Sequence, residues 1–386
     1  MGGSIIEFVK KHRFVYSCYY WLMTSLVNFL KLFVRPDDKL ILFVVYGGKY
    51  YSDSPKCLYE AMLNDKRYEK YKMVWAFRNP DNFPEVENRI KIDTLKYYIT
   101  ALKARCWITN ESVTRALKFK GKKTFYFSTT HTALPKHSGK DAKKESTFTS
   151  IGRTPYDCTC AQSDAERIIQ MQKYGLEEKN IAICGYPKND AIANNKAEDI
   201  IKIRKKLQIS DGRKIILYAP TFREKGQEML MLDFKKWKEA LADQYILLYR
   251  AHHTASSKQQ IKEYPDFIID VSTYPDNTEL LIVADCLISD YSGIFFEFGV
   301  QEKPMYCFAY DYEEYIKHRG LYIKMPEVLP GGIMNEDEFL HYFSSANNEE
   351  VMKKVNLFRG KYIQEYGHAT EKSLDIIFQN IQEDKK

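Results

Sequence analysis

The residues best suited to chemistry follow apolar runs. From Leu287 to Phe298 the chain reads LISDYSGIFFEF, an acid, a hydroxyl and a glycine set between two segments that both favour burial. A strand, a tight turn and a helix start account for that pattern. The first backbone N–H groups of a helix lack intrahelical partners and lie at the positive end of its dipole, which suits a phosphate or diphosphate. Asp290, Ser292 and Gly293 make the turn. Gly293 admits close approach of an anion, Ser292 adds a hydroxyl donor, and Glu297, one turn in, can accept from a ribose diol. The same spelling also serves an ordinary helix cap through Asp290 or Ser292.

Three other stretches carry candidate groups. In YAPTFRE, Thr221 and Arg223 follow a strand; a guanidinium binds phosphate through two parallel hydrogen bonds, and an Arg here can equally pair with a carboxylate. In LLYRAHH, Arg250 and His252 are two residues apart and share a side of an extended chain. A cationic His beside a diphosphate offsets charge on a leaving group, while one of the adjacent His252 and His253 can be structural. In STTHTALPKHSG, His131 follows a strand, with Lys136 and His137 beyond it. A neutral imidazole there can take the proton of an acceptor hydroxyl, and the two later residues can meet an anion. YGGKYYSDSPK has glycines and a lysine without the phosphate-loop spacing. GxSxG, HExxH and paired cysteines at zinc spacing are absent, which removes the serine-hydrolase and zinc readings, and no carboxylate couple suggests a glycosidase.

The elements that must hold these groups alternate. The chain has 386 residues, 45% hydrophobic and 28% charged, enough for about two self-supporting cores. The net charge of +7, from 58 basic and 51 acidic residues, suits an anionic substrate or membrane face and does not call for nucleic acid. Eight scattered cysteines, mostly in apolar runs, read as reduced, buried thiols. Short apolar runs (KLILFVVY, KMVWAF, CWITN, TFYFS, YDCTCA, IAICG) alternate with helical patterns, then a charged stretch near residues 194–213 intervenes. The alternation restarts with KIILYAP, YILLYR, FIIDVS, LLIVADCLIS (a buried strand with a polar break) and PMYCFAY. Such order predicts an α/β protein with two parallel sheets, two Rossmann-like domains facing across a cleft, with ligands at the carboxyl ends of the strands. The expected division is a helical segment over 1–36, a first domain over 37–205 and a second over 206–386, whose last helix can pack back on the first.

Ahead of these lies an aromatic-rich helix without a cleavage signal. A basic cluster (Lys10, Lys11, His12, Arg13) leads into it, and Ser17, Thr24, Asn28, Lys31 and Arg35 recur on one face. A polar stripe of this kind predicts an amphipathic helix in the membrane interface. Packing against the protein body and a true span are the other two readings.

Taken in order, GGKYYSDSPKCLYE, MVWAFRNP, CWITN, GYPKND, YAPTFRE, YRAHH, TELLIVADCLISDYSGIFFEF and RGLY resemble the CDP-glycerol glycerophosphotransferase family, the teichoic-acid primases and polymerases, over nearly all of residues 40–375. The resemblance implies a GT-B architecture, nucleotide held by the second domain, and no required metal or cofactor. His131 matches the histidine of the family's His-Gly-Thr-Pro-Leu-Lys motif, here HTALPK, and His252 matches the second-domain histidine. Asp290 to Gly293 match the diphosphate-binding turn, with Gly for its second Ser; Glu297 stands where Asp is usual, and Arg223 matches the phosphate-binding Arg. What it implies is transfer of glycerol phosphate from CDP-glycerol to a polyprenyl-diphosphate-linked saccharide or polymer, with release of CMP, at the cytoplasmic face of the membrane. A CDP-ribitol enzyme, a nucleotide-sugar transferase of the same architecture and a non-catalytic binding protein are the alternatives.

Overall fold

The computed structural model of the chain describes residues 13–130, 134–141, 154–223, 230–250 and 260–382. His131 and His252 therefore lie outside the described residues, as do Lys10, Lys11 and His12. Two compact units divide the chain. The first comprises residues 1–131, 138–188 and 368–386, and the second comprises 132–137 and 189–367.

In the first unit seven strands form one parallel sheet: β1 (Asp37–Val44), β2 (Lys72–Phe77), β3 (Arg89–Lys91), β4 (Ala104–Thr109), β5 (Phe125–Ser128), β6 (Cys158–Ala161) and β7 (Ile181–Ile183). Their order is β3-β2-β1-β4-β5-β6-β7. The central strands bury both faces, so they read as unbroken apolar runs. Leu40, Leu42 and Val44 join one core with Trp107 and Tyr126, while Ile41, Phe43 and Val45 join the other with Trp75 and Phe77. The C-terminal helix Ala369–Ile381 belongs to this unit: Leu374, Ile377 and Ile381 enter the second of these cores, and the Tyr68 hydroxyl donates to the Leu374 carbonyl at 2.6 Å.

The second unit repeats the plan with β8 (Lys214–Tyr218), β9 (Tyr245–Tyr249), β10 (Ile268–Asp270), β11 (Cys286–Ser289), β12 (Met305–Phe308) and β13 (Gly331–Gly332), in the order β10-β9-β8-β11-β12-β13. Residues 189–206 group with it, as the helices Asp190–Ala193 and Ala197–Lys206 pack on the helix Asn277–Val283. That last helix corrects the sequence reading of LLIVADCLIS as one strand. Residues 277–283 are helical, capped by the Asp276 carboxylate on the Thr278 N–H at 2.8 Å, and only Cys286–Ser289 is extended. A wholly apolar run carries no periodicity to separate the two states.

In both sheets the strand order reverses once, between β1 and β4 and between β8 and β11. Ligands of open α/β sheets bind at such reversals, beyond the carboxyl ends of the strands.

The helix Arg13–Lys31 lies on the first unit with its polar stripe turned inward. The Asn28 amide donates to the Thr24 and Lys118 carbonyls at 2.8 and 2.7 Å, and the Lys31 ammonium to that of Lys120 at 3.0 Å, beside buried Tyr16, Tyr20 and Val27. The stripe was expected to face water or headgroups. Its Asn28 and Lys31 face protein carbonyls instead, while Arg35 is exposed, and the outward wall carries Phe14, Trp21, Leu22 and Phe29, followed by Leu32 and Phe33. No helix among the described residues is long and apolar enough to cross a membrane.

Candidate functional site

At the reversal of the second sheet, the segments after β8, β11 and β12 are tied by one buried ion network. The Asp290 carboxylate accepts from the Thr221 and Tyr291 N–H groups at 2.8 and 2.6 Å and from Arg223 Nη2 at 2.8 Å. Arg223 also donates to Asp311, through Nε at 2.7 Å and Nη2 at 2.9 Å, and to the Thr221 carbonyl through Nη1 at 2.6 Å. The rings of Tyr291, Tyr310 and Tyr315 stand 5.2–5.4 Å from the guanidinium carbon. Burial alone would lower the Arg223 pKa, but Asp290 and Asp311 hold it above its ordinary value.

The Arg223 side chain is 2% exposed and bonded within the protein through all three nitrogens. Asp290 is equally buried, and a carboxylate is an acceptor with nothing to offer an anion. A buried charge needs partners, and here the two charges supply each other. Both residues are scaffold for the turn.

The scaffold leaves a small accessible surface. Within residues 286–300 every position is buried except Ser292, Gly293 and Glu297. Gly293 and Glu297 are four residues apart and share a helical face. The helix Ile294–Phe298 is only five residues long, and its Ile294 N–H already bonds Ser292 Oγ at 3.3 Å. Ser292 thus caps as well as faces outward. Arg250 lies after β9, its Nη1 donating to the Val271 and Tyr274 carbonyls at 2.8 and 3.0 Å, which holds the loop after β10. Burial lowers its pKa.

Lys136 completes the cluster. Residues 134–137 group with the second unit, where Lys136 pairs with Leu321 and the His137 N–H donates to the Gly320 carbonyl at 2.8 Å. The Lys136 ammonium donates to Thr221 Oγ1 at 3.3 Å. Burial lowers its pKa to about 8; Asp290 opposes that shift while Arg319 and Arg223 add to it. In the sequence Lys136 was only a loop lysine able to meet an anion. Its distance from Thr221 along the chain hid their contact.

The first unit carries a second polar network at its own strand reversal, which the sequence reading did not assemble. The Asp53 carboxylate accepts from the Tyr46 hydroxyl at 2.5 Å, the Ser54 N–H at 2.6 Å and Asn110 Nδ2 at 3.0 Å, with the Lys188 ammonium 3.9 Å away. Burial would raise the Asp53 pKa, but Lys188 and these hydrogen bonds lower it, so it is a carboxylate at neutral pH. Next to β5, the Thr130 hydroxyl donates to the Tyr186 oxygen at 3.1 Å, and the Tyr186 hydroxyl to Glu166 at 2.6 Å. Tyr46, Asp53 and Thr130 hold φ values of 45°, 65° and 50°, a conformation costly for residues with side chains and concentrated at functional sites. Thr130 directly precedes His131. The available signal was position for Tyr46, Asn110 and Thr130, which lie one or two residues beyond strand ends, whereas Asp53 opens the helix Asp53–Leu63 and Glu166 sits within the helix Asp164–Tyr174.

Residues 26–379 match the family described as CDP-Glycerol:Poly(glycerophosphate) glycerophosphotransferase. The teichoic acid poly(glycerol phosphate) polymerase of Staphylococcus epidermidis is 32% identical over 91% of this chain and 52% of its own length, so the chain spans about half of that relative. The teichoic acid glycerol-phosphate transferase of Staphylococcus aureus is 27% identical over 89% of this chain and 94% of its own. Among solved structures, the wall teichoic acid polymerase TagF, as a histidine-to-asparagine variant soaked with CDPG, superposes with a TM-score of 0.81 at 30% identity, covering 94% of each chain. On the family match across most of its length, this chain belongs to the CDP-glycerol:poly(glycerophosphate) glycerophosphotransferase family.

Proposed function

We propose that this chain transfers glycerol phosphate from CDP-glycerol to a hydroxyl of a polyprenyl-diphosphate-linked saccharide or polymer, releasing CMP, in the synthesis of teichoic acid or a related surface polymer. The observation that carries this reading, within the family match, is the accessible trio Ser292, Gly293 and Glu297 on a turn otherwise buried, with Thr221 and Lys136 on the same braced network. Hydroxyls, backbone N–H groups and an ammonium are the donors a diphosphate needs.

The acceptor oxygen attacks the phosphorus that carries glycerol. The new P–O bond forms as the bond to the bridging oxygen breaks, and CMP leaves with the electron pair. His131 takes the acceptor's proton, His252 and Lys136 offset charge on the departing phosphate, and Glu297 accepts from the ribose. Positioning and electrostatics supply most of the rate in such transfers. Incubation of the full chain with CDP-glycerol and a polyprenyl-diphosphate-linked acceptor analogue is expected to release CMP. Release from CDP-ribitol alone would move the assignment to the ribitol enzyme. UDP release from a sugar donor instead, or no nucleotide at all, would overturn it.

The helix Arg13–Lys31 is the element proposed to bring the enzyme to the cytoplasmic membrane surface. Its outward aromatic wall is backed by Asn28 and Lys31, which bond protein carbonyls, so that wall can enter the headgroup boundary without exposing those two groups to the apolar phase. Trp21→Ser combined with Phe29→Ser is expected to weaken sedimentation with anionic vesicles at least ~10-fold, from the apolar area removed. Undiminished sedimentation would remove the helix from this role.

A further inference from the structure

An open pocket of about 310 Å³ lies in the first unit, lined by Gly48, Lys49, Tyr50, Arg78, Asn79, Asn82 and Phe83. It sits beyond the carboxyl ends of β1 and β2, beside the strand reversal, and has no part in the donor network of the second unit. Its chemistry is one-sided. Two cations and two side-chain amides line it, and no carboxylate does. Among the described residues, neither Lys49 nor Arg78 forms an ion pair, while nearby Arg115 is neutralised by Asp93 at 2.9 Å.

The pocket is also built in advance. The Arg78 N–H donates to the Gly48 carbonyl at 2.7 Å and its Nε to the Gly47 carbonyl at 3.0 Å, locking the loop after β1 to the loop after β2. Gly48 has a φ of +80°, and a Cβ there would lie 3.0 Å from the Arg78 nitrogen and 3.2 Å from the Ala76 oxygen. Only glycine allows the two backbones this close. Phe83 stacks on Phe77 at 4.2 Å, fixing the far wall. Cations, amide donors and ring faces together suit an anion carried on a polyol, since the charge meets Lys49 and Arg78 and the C–H surface meets Tyr50 and Phe83.

We infer that this pocket binds a phosphodiester of the acceptor chain, one glycerol phosphate unit of a polymer already begun. The inference rests on the transferase reading for the identity of the polymer. The same anion chemistry is offered by a phospholipid headgroup, so the test separates the two sources. A short phosphodiester-linked glycerol oligomer is titrated into the full chain without donor, for wild type, Lys49→Gln, Lys49→Glu and Lys49→Arg. The expected loss of affinity is about fivefold for the neutral variant and about 20-fold for the reversed charge at low salt, with Arg close to wild type. The KM for CDP-glycerol stays within about twofold, and sedimentation with phosphatidylglycerol vesicles is unchanged.

Oligomer binding by Lys49→Glu equal to wild type overturns the inference. So does a loss of vesicle binding with oligomer binding intact, which would assign the pocket to headgroups, and so does a parallel loss of CDP-glycerol affinity, which would assign it to the donor. Oligomer binding that obeys the expected order in a wild-type chain that releases no CMP would refute the transferase reading and leave the pocket standing.

Discussion

Asp290→Ala is expected to destabilise the second unit by about 3–5 kcal/mol, the range for removing one partner of a buried ion pair. The Thr221 and Tyr291 N–H groups lose their acceptor, and Arg223 Nη2 loses one of its two. Each orphaned N–H costs about 1 kcal/mol or more, and Arg223 retains only Asp311 as a countercharge. Asp290→Asn keeps an oxygen for the two N–H groups and gives up the ion pair, so its effect should be the smaller. Urea unfolding of both variants tests this. The substitution should also abolish CMP release at temperatures where the variant remains folded, because the turn bearing Ser292 and Gly293 hangs from that carboxylate. An unfolding free energy within about 1 kcal/mol of wild type would show that the network does not brace the turn.

That expectation differs from the one the sequence supports, and the difference has a physical origin. An Arg two residues beyond a strand end meets whatever charge the fold brings to it. The sequence placed Arg223 at the right end of the right sheet. Its partners Asp290 and Asp311 come from 67 and 88 residues further along, through strand pairings of β8 with β11 and β11 with β12 that no local pattern states. The same holds for Asp53, whose partners Tyr46, Asn110 and Lys188 converge from three separate loops. Central strands were legible because burial on both faces demands continuous Ile, Leu and Val, as in KIILY and YILLY. Short edge strands such as Arg89–Lys91 and Gly331–Gly332 carry no such run and passed unseen. The helix Arg13–Lys31 makes a related point: periodicity located its two faces, but it could not say which would find partners in the body of the protein. Backbone carbonyls of residues 118 and 120 chose the polar one.

Lys136 gives the second large effect, and its sign follows from its surroundings. Burial removes water from the ammonium and brings its pKa down to about 8, with Asp290 resisting and Arg319 and Arg223 assisting. At pH 7 the group is still mostly cationic. A bound diphosphate favours that charged form, so donor binding takes up a proton once the pH exceeds the free-enzyme pKa. The kcat/KM for CDP-glycerol reports ionisations of the free enzyme. It should therefore fall above pH 8, approaching about tenfold per pH unit. Lys136→Met should lower kcat/KM about 100-fold at pH 7, the scale of losing one preorganised charge at a developing phosphate, and should flatten the alkaline limb. Lys136→Arg keeps a cation that does not titrate in this range, so it should retain more activity than the Met variant and lack the limb as well. Persistence of the same alkaline limb in either variant would assign the titration to another group and remove Lys136 from the donor site.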